Sequence, residues 1–243
     1  MEKVALTSLR QMKRDGRKIV GVVLYDFPTA QIADRAGVDL VSVGDSVGAN
    51  LWGQPTETEV TIEELLIACK AVRRGTKRAL VSCDVPQESA SAGIESATGA
   101  AIRLAKEGGA DMVKVLGAPD LVRAIVRAGV PVFAEFHGDH ADVEKLVEDA
   151  RRLEAAGATM LDFRHSGPVA GAAVVKAVSV PVIGGLGGGP WLDGRVRLAH
   201  TAIGYGAKWI DSGIETYVNT AKLSLQAFQA LAEDVRAGRQ IKG

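Results

Sequence analysis

Three features of the sequence predict an α/β fold, a closed (β/α)8 TIM barrel carrying one extra C-terminal helix. Eight short β-rich runs alternate with longer stretches of helical periodicity. A weak internal repeat recurs four times: Ala36-Gly-Val-Asp-Leu-Val-Ser-Val, Gly108-Gly-Ala-Asp-Met-Val-Lys-Val, Ala156-Gly-Ala-Thr-Met-Leu-Asp-Phe and Tyr205-Gly-Ala-Lys-Trp-Ile-Asp-Ser. In each copy a glycine sits just past a helix and the chain then enters a strand. Two more runs open with Val130-Pro131 and Val180-Pro181, and proline at a strand start costs no ladder hydrogen bond.

In chain order the predicted strands are Ile19 to Tyr25, Asp39 to Gly44, Ala79 to Asp84, Met112 to Leu116, Pro131 to Phe136, Met160 to Phe163, Pro181 to Gly185 and Lys208 to Ile210. Helices are predicted over Pro28 to Ala36, Thr61 to Arg73, Gln87 to Glu107, Pro119 to Arg127, Ala141 to Ala155, Val169 to Val178 and Asp193 to Tyr205, where apolar residues recur every three or four positions with charges between. Thr61 with Glu64 has the spacing of a capping box. Val218 to Ala237 reads as an amphipathic helix longer than the barrel needs, packed on its own barrel or docked on a neighbouring subunit. No linker or low-complexity tract interrupts the chain, so residues 1–243 are expected to form a single barrel domain.

With 29 basic and 29 acidic residues the chain has no field to recruit nucleic acid or an anionic membrane, and a small molecule is the expected partner. Cys69 and Cys83 lie in apolar surroundings without zinc or disulfide spacing, as buried thiols in a reducing cytoplasm would. The first 18 residues are polar and charged, without an apolar signal core, so a cytoplasmic location is expected.

Barrel chemistry concentrates where strands end. Gly44-Asp45-Ser46-Val47-Gly48 sets a carboxylate and a hydroxyl among glycines at the end of an apolar run, and Asp84 ends the next strand. Either aspartate alone also fits a turn or cap; two hard oxygen ligands on adjacent strands, with no histidine or thiolate beside them, favour Mg2+. Lys114 lies inside an apolar strand, and if its face looks into the barrel it needs an anionic partner, a carboxylate side chain or an acidic ligand. Glu135 and His137 share a face of the fifth strand, Asp162 and Arg164 a face of the sixth, with His165 beyond. Gly184 to Gly189 holds five glycines in six residues, but without Walker or dinucleotide spacing, and a tight turn is the expected reading. His140 and His200 read as surface histidines without a role.

These residues resemble the ketopantoate hydroxymethyltransferase family, of the phosphoenolpyruvate mutase and isocitrate lyase superfamily. The matching segments are Tyr25-Asp-Phe-Pro-Thr-Ala, Val43-Gly-Asp-Ser-Val-Gly, Ala71-Val-Arg-Arg-Gly, Cys83-Asp-Val-Pro, Gly109-Ala-Asp-Met-Val-Lys and Pro181-Val-Ile-Gly. The resemblance implies a Mg2+-bound 2-oxo acid, with Asp45 and Asp84 as metal ligands and Tyr25, Ser46 and Lys114 as substrate-binding groups. It further implies proton removal beside the carbonyl, a metal-stabilised enolate, addition of a one-carbon unit from methylene-tetrahydrofolate, and assembly as a homo-oligomer.

The other half of the site departs from the family pattern. Leu116 stands where the family has a glutamate, Glu135 where it has a histidine, and Arg164 in place of its glutamate base. A guanidinium stays protonated and cannot abstract a proton. The long loop after the fifth strand is missing, which places folate use in question. Glu135 or His137 is the expected replacement base and His165 an acid, while Arg164 pairs with Glu135 or grips an additional anionic group of a substrate. The leading expectation is Mg2+-dependent carbon–carbon bond formation or cleavage on a 2-oxo acid; the ordinary hydroxymethyltransferase and a non-catalytic ligand-binding homologue are the alternatives.

Overall fold

The computed structural model describes residues 2–139, 141–185 and 188–242; His140 and part of the glycine-rich run lie outside them. The chain forms two compact units that divide between Arg197 and Leu198. The first is a closed parallel barrel with its strands in sequence order: β1 (Ile19–Val23), β2 (Leu40–Val43), β3 (Leu80–Asp84), β4 (Met112–Leu116), β5 (Val132–Phe136), β6 (Met160–Phe163), β7 (Val182–Gly184) and β8 (Gly194–Leu198). Its helices are α1 (Leu6–Arg14), α2 (Phe27–Arg35), α3 (Ile62–Gly75), α4 (Gln87–Ser91), α5 (Ile94–Lys106), α6 (Pro119–Arg127), α7 (Val143–Ala155) and α8 (Pro168–Ala177).

Local chemistry sets where the helices begin. The Asp26 carboxylate accepts a 2.8 Å hydrogen bond from the Thr29 amide at the start of α2, with Pro28 in its first turn. Thr61 and Glu64 cap α3 reciprocally, the Thr61 amide donating to Glu64 Oε2 at 2.8 Å and the Glu64 amide to Thr61 Oγ1 at 3.3 Å.

Inside the barrel, composition changes along the strands. One strand layer is apolar: Ile19, Leu40, Leu80, Met112, Phe133, Met160, Ile183 and Val196 form one cluster, plugged by Leu9 and Met12 of α1. Two residues further along β2 and β3 are Ser42 and Ser82, cross-strand partners whose buried hydroxyls meet at 2.7 Å. The same inward alternation then leads to Lys114, Glu135 and Asp162 at the C-terminal mouth. An apolar floor therefore supports a polar mouth.

The structure corrects the reading of the barrel's last strand. Lys208 to Ile210 is not a strand; Ala207–Trp209 is a 3-10 turn, and the eighth strand is β8, inside the stretch 193–205 read as a helix. In Gly194-Arg195-Val196-Arg197 the period is two: the arginines are exposed while Gly194 and Val196 are buried. A Cβ at Gly194 would overlap the Ile19 carbonyl, so glycine is required for β8 to close against β1. The Ile19 amide donates to the Asp193 carbonyl at 2.9 Å at that seam. The predicted helix 87–107 is broken between α4 and α5 at Gly93, whose φ of 109° suits glycine. Helix α1 was not anticipated within the polar N-terminal stretch. Cys69 and Cys83 are buried and unbridged.

In the second unit α9 (Ala199–Ile203) ends at the left-handed Gly204, and α10 (Thr220–Arg236) follows. Asn219 caps α10, accepting from the Lys222 amide at 3.0 Å and donating to the Trp209 carbonyl at 2.8 Å. Leu223, Phe228 and Val235 of α10 are exposed. No described helix is long and apolar enough to cross a membrane.

Leu9 is fully buried in the floor. Leu9→Ala is expected to cost about 2–5 kcal/mol of unfolding free energy, read from urea denaturation; a loss below about 1 kcal/mol would contradict the plug.

Candidate active site

Lys114 occupies the centre of the mouth. Its register partner on β3 is Asp84, and Glu135 on β5 is the register partner of Asp162 on β6. The ammonium lies 2.6 Å from Glu135 Oε2, 3.3 Å from Asp162 Oδ2 and 4.0 Å from Asp84 Oδ2. Burial opposes its charge, but the carboxylates of Asp84, Asp162 and Glu135 outweigh burial and hold it firmly protonated. Glu135 also accepts from Arg164 Nη1 at 2.7 Å, through its other oxygen. Burial acts to raise the Glu135 carboxyl, yet Lys114 and Arg164 together keep it below the ordinary glutamate range.

Adjacent strand ends carry Asp45 and Asp84. Burial pushes Asp84 up to about 7, with Asp45, Glu135 and Asp162 adding to the rise against Lys114. Burial and the nearby Glu57 likewise raise Asp45. Asp84 Oδ1 is buried without a hydrogen-bond partner among the described residues. Gly44 makes the space beside it, since a Cβ there would stand 2.9 Å from Ser46 Oγ and 3.5 Å from Asp84 Oδ2. Ser46 Oγ shares a 2.7 Å hydrogen bond with the Tyr25 hydroxyl, and Asn50 Nδ2 donates to the Ser46 carbonyl at 3.0 Å. Burial raises the Tyr25 phenol well above its ordinary range, so it stays a neutral hydrogen-bonding group.

An orphaned carboxylate oxygen, a second aspartate and a glycine-made gap are all-oxygen chemistry suited to a hard divalent cation. Among the described residues no three His, Cys, Asp or Glu side chains gather as a metal group. Two protein carboxylates with water and substrate oxygens complete the usual shell of Mg2+.

The fold thus brings together Asp84, Lys114, Glu135 and Arg164, and it pairs Tyr25 with Ser46. His137 and His165 stand exposed beyond their strands, His165 with a φ of 52°. Asp162, to which the sequence pattern assigns no role, is 3 % exposed in its side chain and ion-paired to Lys114. The signal that picked out Lys114, a charge inside an apolar strand, applies equally to Met160-Leu-Asp-Phe. Beyond β5 the chain reaches α7 through residues 137–142 alone. Four residues of the glycine-rich run are described, and a Cβ at Gly188 would stand 2.9 Å from the Gly184 carbonyl; the tight turn expected there lies partly outside the described residues.

The model of the ketopantoate hydroxymethyltransferase family matches residues 3–138 and 136–240. The chain belongs to that family. The two matched segments meet at the end of β5, where the connection is short. The chain is 35% identical to 3-methyl-2-oxobutanoate hydroxymethyltransferase of Geobacillus kaustophilus over 96% of its own length and 90% of the relative's. It is 34% identical to the enzyme of that name from Moorella thermoacetica, covering 98% of this chain and 95% of the relative. Among solved structures, 2,3-dimethylmalate lyase, a PEP mutase/isocitrate lyase superfamily member, superposes with a TM-score of 0.61 at 16% identity, over 98% of this chain and 89% of that one. Oxaloacetate acetylhydrolase in complex with oxalate gives 0.63 at 14% identity, over 95% and 86%. These solved structures share the barrel fold, and membership of the ketopantoate hydroxymethyltransferase family makes the chain an enzyme of transferase type.

The raised Asp84 carboxyl has a stability consequence. Its folded pKa of about 7 exceeds the ordinary 3.8, so its contribution is complete below about pH 4 and is lost as pH rises towards 7. In EDTA, Asp84→Asn should melt at least about 2 °C above the parent at pH 8, with the difference vanishing near pH 4. A constant difference across that range in thermal melts would contradict the buried, uncompensated carboxylate.

Proposed function

We propose that the protein catalyses carbon–carbon bond formation or cleavage at a 2-oxo acid, with Asp45 and Asp84 holding Mg2+ and the substrate's keto-acid end. The observation that carries this reading is the excess of carboxylates at the mouth. Asp45, Asp84, Glu135 and Asp162 face Lys114 and Arg164, and Asp84 Oδ1 has no partner. A bound divalent cation balances that charge and supplies Lewis acidity towards a keto oxygen.

This chain's own residues divide the remaining work. Ser46, braced by Tyr25, donates to the substrate carboxylate. Lys114, held protonated, donates to the carbonyl end and stabilises enolate charge. Proton removal beside the carbonyl falls to Glu135 or His137, with His165 as an acid at the rim. The ordinary hydroxymethyl transfer is supported by 35% identity over nearly the whole chain. The rewired partner half is supported by Glu135 pairing with Arg164 and by the short connection after β5. A connection that short places folate use in question. A cytoplasmic homo-oligomer is part of this reading, and the exposed apolar side chains of α10 support the oligomer alone.

The test is solvent deuterium exchange at the carbon beside the carbonyl of 2-oxoisovalerate and pyruvate, with and without Mg2+. Exchange is expected to need Mg2+, and Asp84→Asn should abolish it and weaken calorimetric Mn2+ binding at least about tenfold. Full exchange by that variant would refute the metal assignment. Glu135→Gln should slow exchange while sparing substrate binding. Product formation that depends on methylene-tetrahydrofolate would restore the ordinary transfer.

A further inference from the structure

Arg164 differs from the other charged groups of the mouth in how it is held. Its side chain is 35 % exposed, whereas Lys114, Glu135 and Asp162 are 17, 12 and 3 % exposed. Among the described residues its one side-chain hydrogen bond runs from Nη1 to Glu135 Oε1, leaving Nε and Nη2 unengaged. Glu135 does not depend on that bond, because its second oxygen lies 2.6 Å from Lys114. Arg164 can therefore exchange Glu135 for another anion without stranding a buried carboxylate.

Position fixes which anion that would be. In the closed order of eight strands, β6 lies across the barrel from β2, and Arg164 follows β6 while Asp45 follows β2. The Arg164 amide donates to the Phe136 carbonyl at 3.1 Å, which ties the base of the side chain to β5. A reactant seated by its keto-acid end near Asp45 and Asp84 extends its far end, or meets its second reactant, on the Arg164 side.

Resting on the proposed 2-oxo acid reading, we infer that Arg164 is a specificity-determining residue that selects a second carboxylate. That carboxylate is carried by the far end of a dicarboxylic 2-oxo acid or by an aldehyde electrophile such as glyoxylate. A planar carboxylate matches the two free donors of one guanidinium. A phosphoryl group would call for more donors than Nε and Nη2 supply, and Lys114 is assigned to the carbonyl end of the keto acid.

Matched reactants separate the two sources. The first arm compares 2-oxoglutarate with 2-oxopentanoate, whose far carboxylate is replaced by a methyl group, in Mg2+-dependent deuterium exchange and in calorimetric binding. The second compares glyoxylate with acetaldehyde as electrophile, with 2-oxoisovalerate as donor. The carboxylate-bearing member is expected to be favoured about ten- to hundredfold in one arm, through KM more than kcat. Arg164→Gln should collapse that ratio to near unity and Arg164→Lys should keep part of it, a recovery that mere bracing of Glu135 would not give.

Preference in the exchange arm assigns the carboxylate to the oxo acid, and preference in the second arm assigns it to the electrophile. Equal handling of both members in both arms, or a ratio unmoved by Arg164→Gln, overturns the inference while leaving the oxo-acid chemistry in place. A stronger preference for 3-phosphonopyruvate than for either carboxylate also overturns it. Absence of exchange with every oxo acid strikes the underlying reading instead, and the calorimetric comparison of 2-oxoglutarate binding by parent and Arg164→Gln still decides the role of Arg164.

Discussion

The mouth of this barrel depends on one buried ammonium group. Lys114 projects from a strand whose neighbours Val113 and Val115 are buried, and only 17 % of its side chain is exposed to water. Its charge is retained because carboxylates from three other strands surround it: Glu135 at 2.6 Å, Asp162 at 3.3 Å and Asp84 at 4.0 Å. The dependence runs both ways. Without the ammonium, Asp162 and Glu135 would be like charges on register-paired positions of adjacent strands. Removing Lys114 alone would leave Glu135 and Asp162 without that partner, which is far more damaging than replacing all three together by apolar residues. The cluster behaves as one electrostatic unit.

That unit can exist only because the rest of the barrel interior is built differently. The floor is apolar and plugged by Leu9 and Met12, so none of its strand side chains requires a polar partner. Ser42 and Ser82 satisfy each other at the next level, and charge begins above them. Away from the mouth, Asp34 accepts from the amides of Lys77, Arg78 and Ala79, and Asp39 pairs with Arg17 and Arg78. These carboxylates are satisfied by backbone and arginine. Among the described residues Asp84 Oδ1 is not, and that contrast sets the mouth apart from the rest of the barrel.

Most of the barrel could be read from the sequence because seven strands announce themselves as apolar runs between turn residues. β8 escaped since only Gly194 and Val196 face inward, and its exposed arginines resemble the polar face of a helix. The segment from Tyr205 imitated the repeat closely, yet positive φ at Gly204 and Gly206 turns the chain into a 3-10 turn. Asp45, Asp84, Lys114, Glu135 and Arg164 were visible as polar residues at the ends of apolar runs. Their partners were not. Lys114 pairs in register with Phe133, two residues before Glu135, so its contact with Glu135 is a diagonal reach across the stagger of the barrel. The space beside Gly44 and the isolation of Asp84 Oδ1 likewise belong to side-chain placement and to no local motif.

The charges of the mouth are distributed unevenly, and that unevenness gives it direction. On the β5 and β6 side every carboxylate has a cation within 3.3 Å: Glu135 has both Lys114 and Arg164, and Asp162 has Lys114. On the β2 and β3 side Asp45 has no cation within 4 Å among the described residues, and Asp84 meets Lys114 only at that limit. The uncompensated negative charge is therefore confined to one edge. A free cation entering the mouth is drawn to that edge, where hard oxygens are unsatisfied, and away from Lys114 and Arg164. An anionic reactant meets the opposite field, attracted to the two basic groups and repelled from bare aspartates until a cation covers them. On the proposed reading, Asp45 and Asp84 would hold the cation at this edge, and a keto acid would lie between it and Lys114.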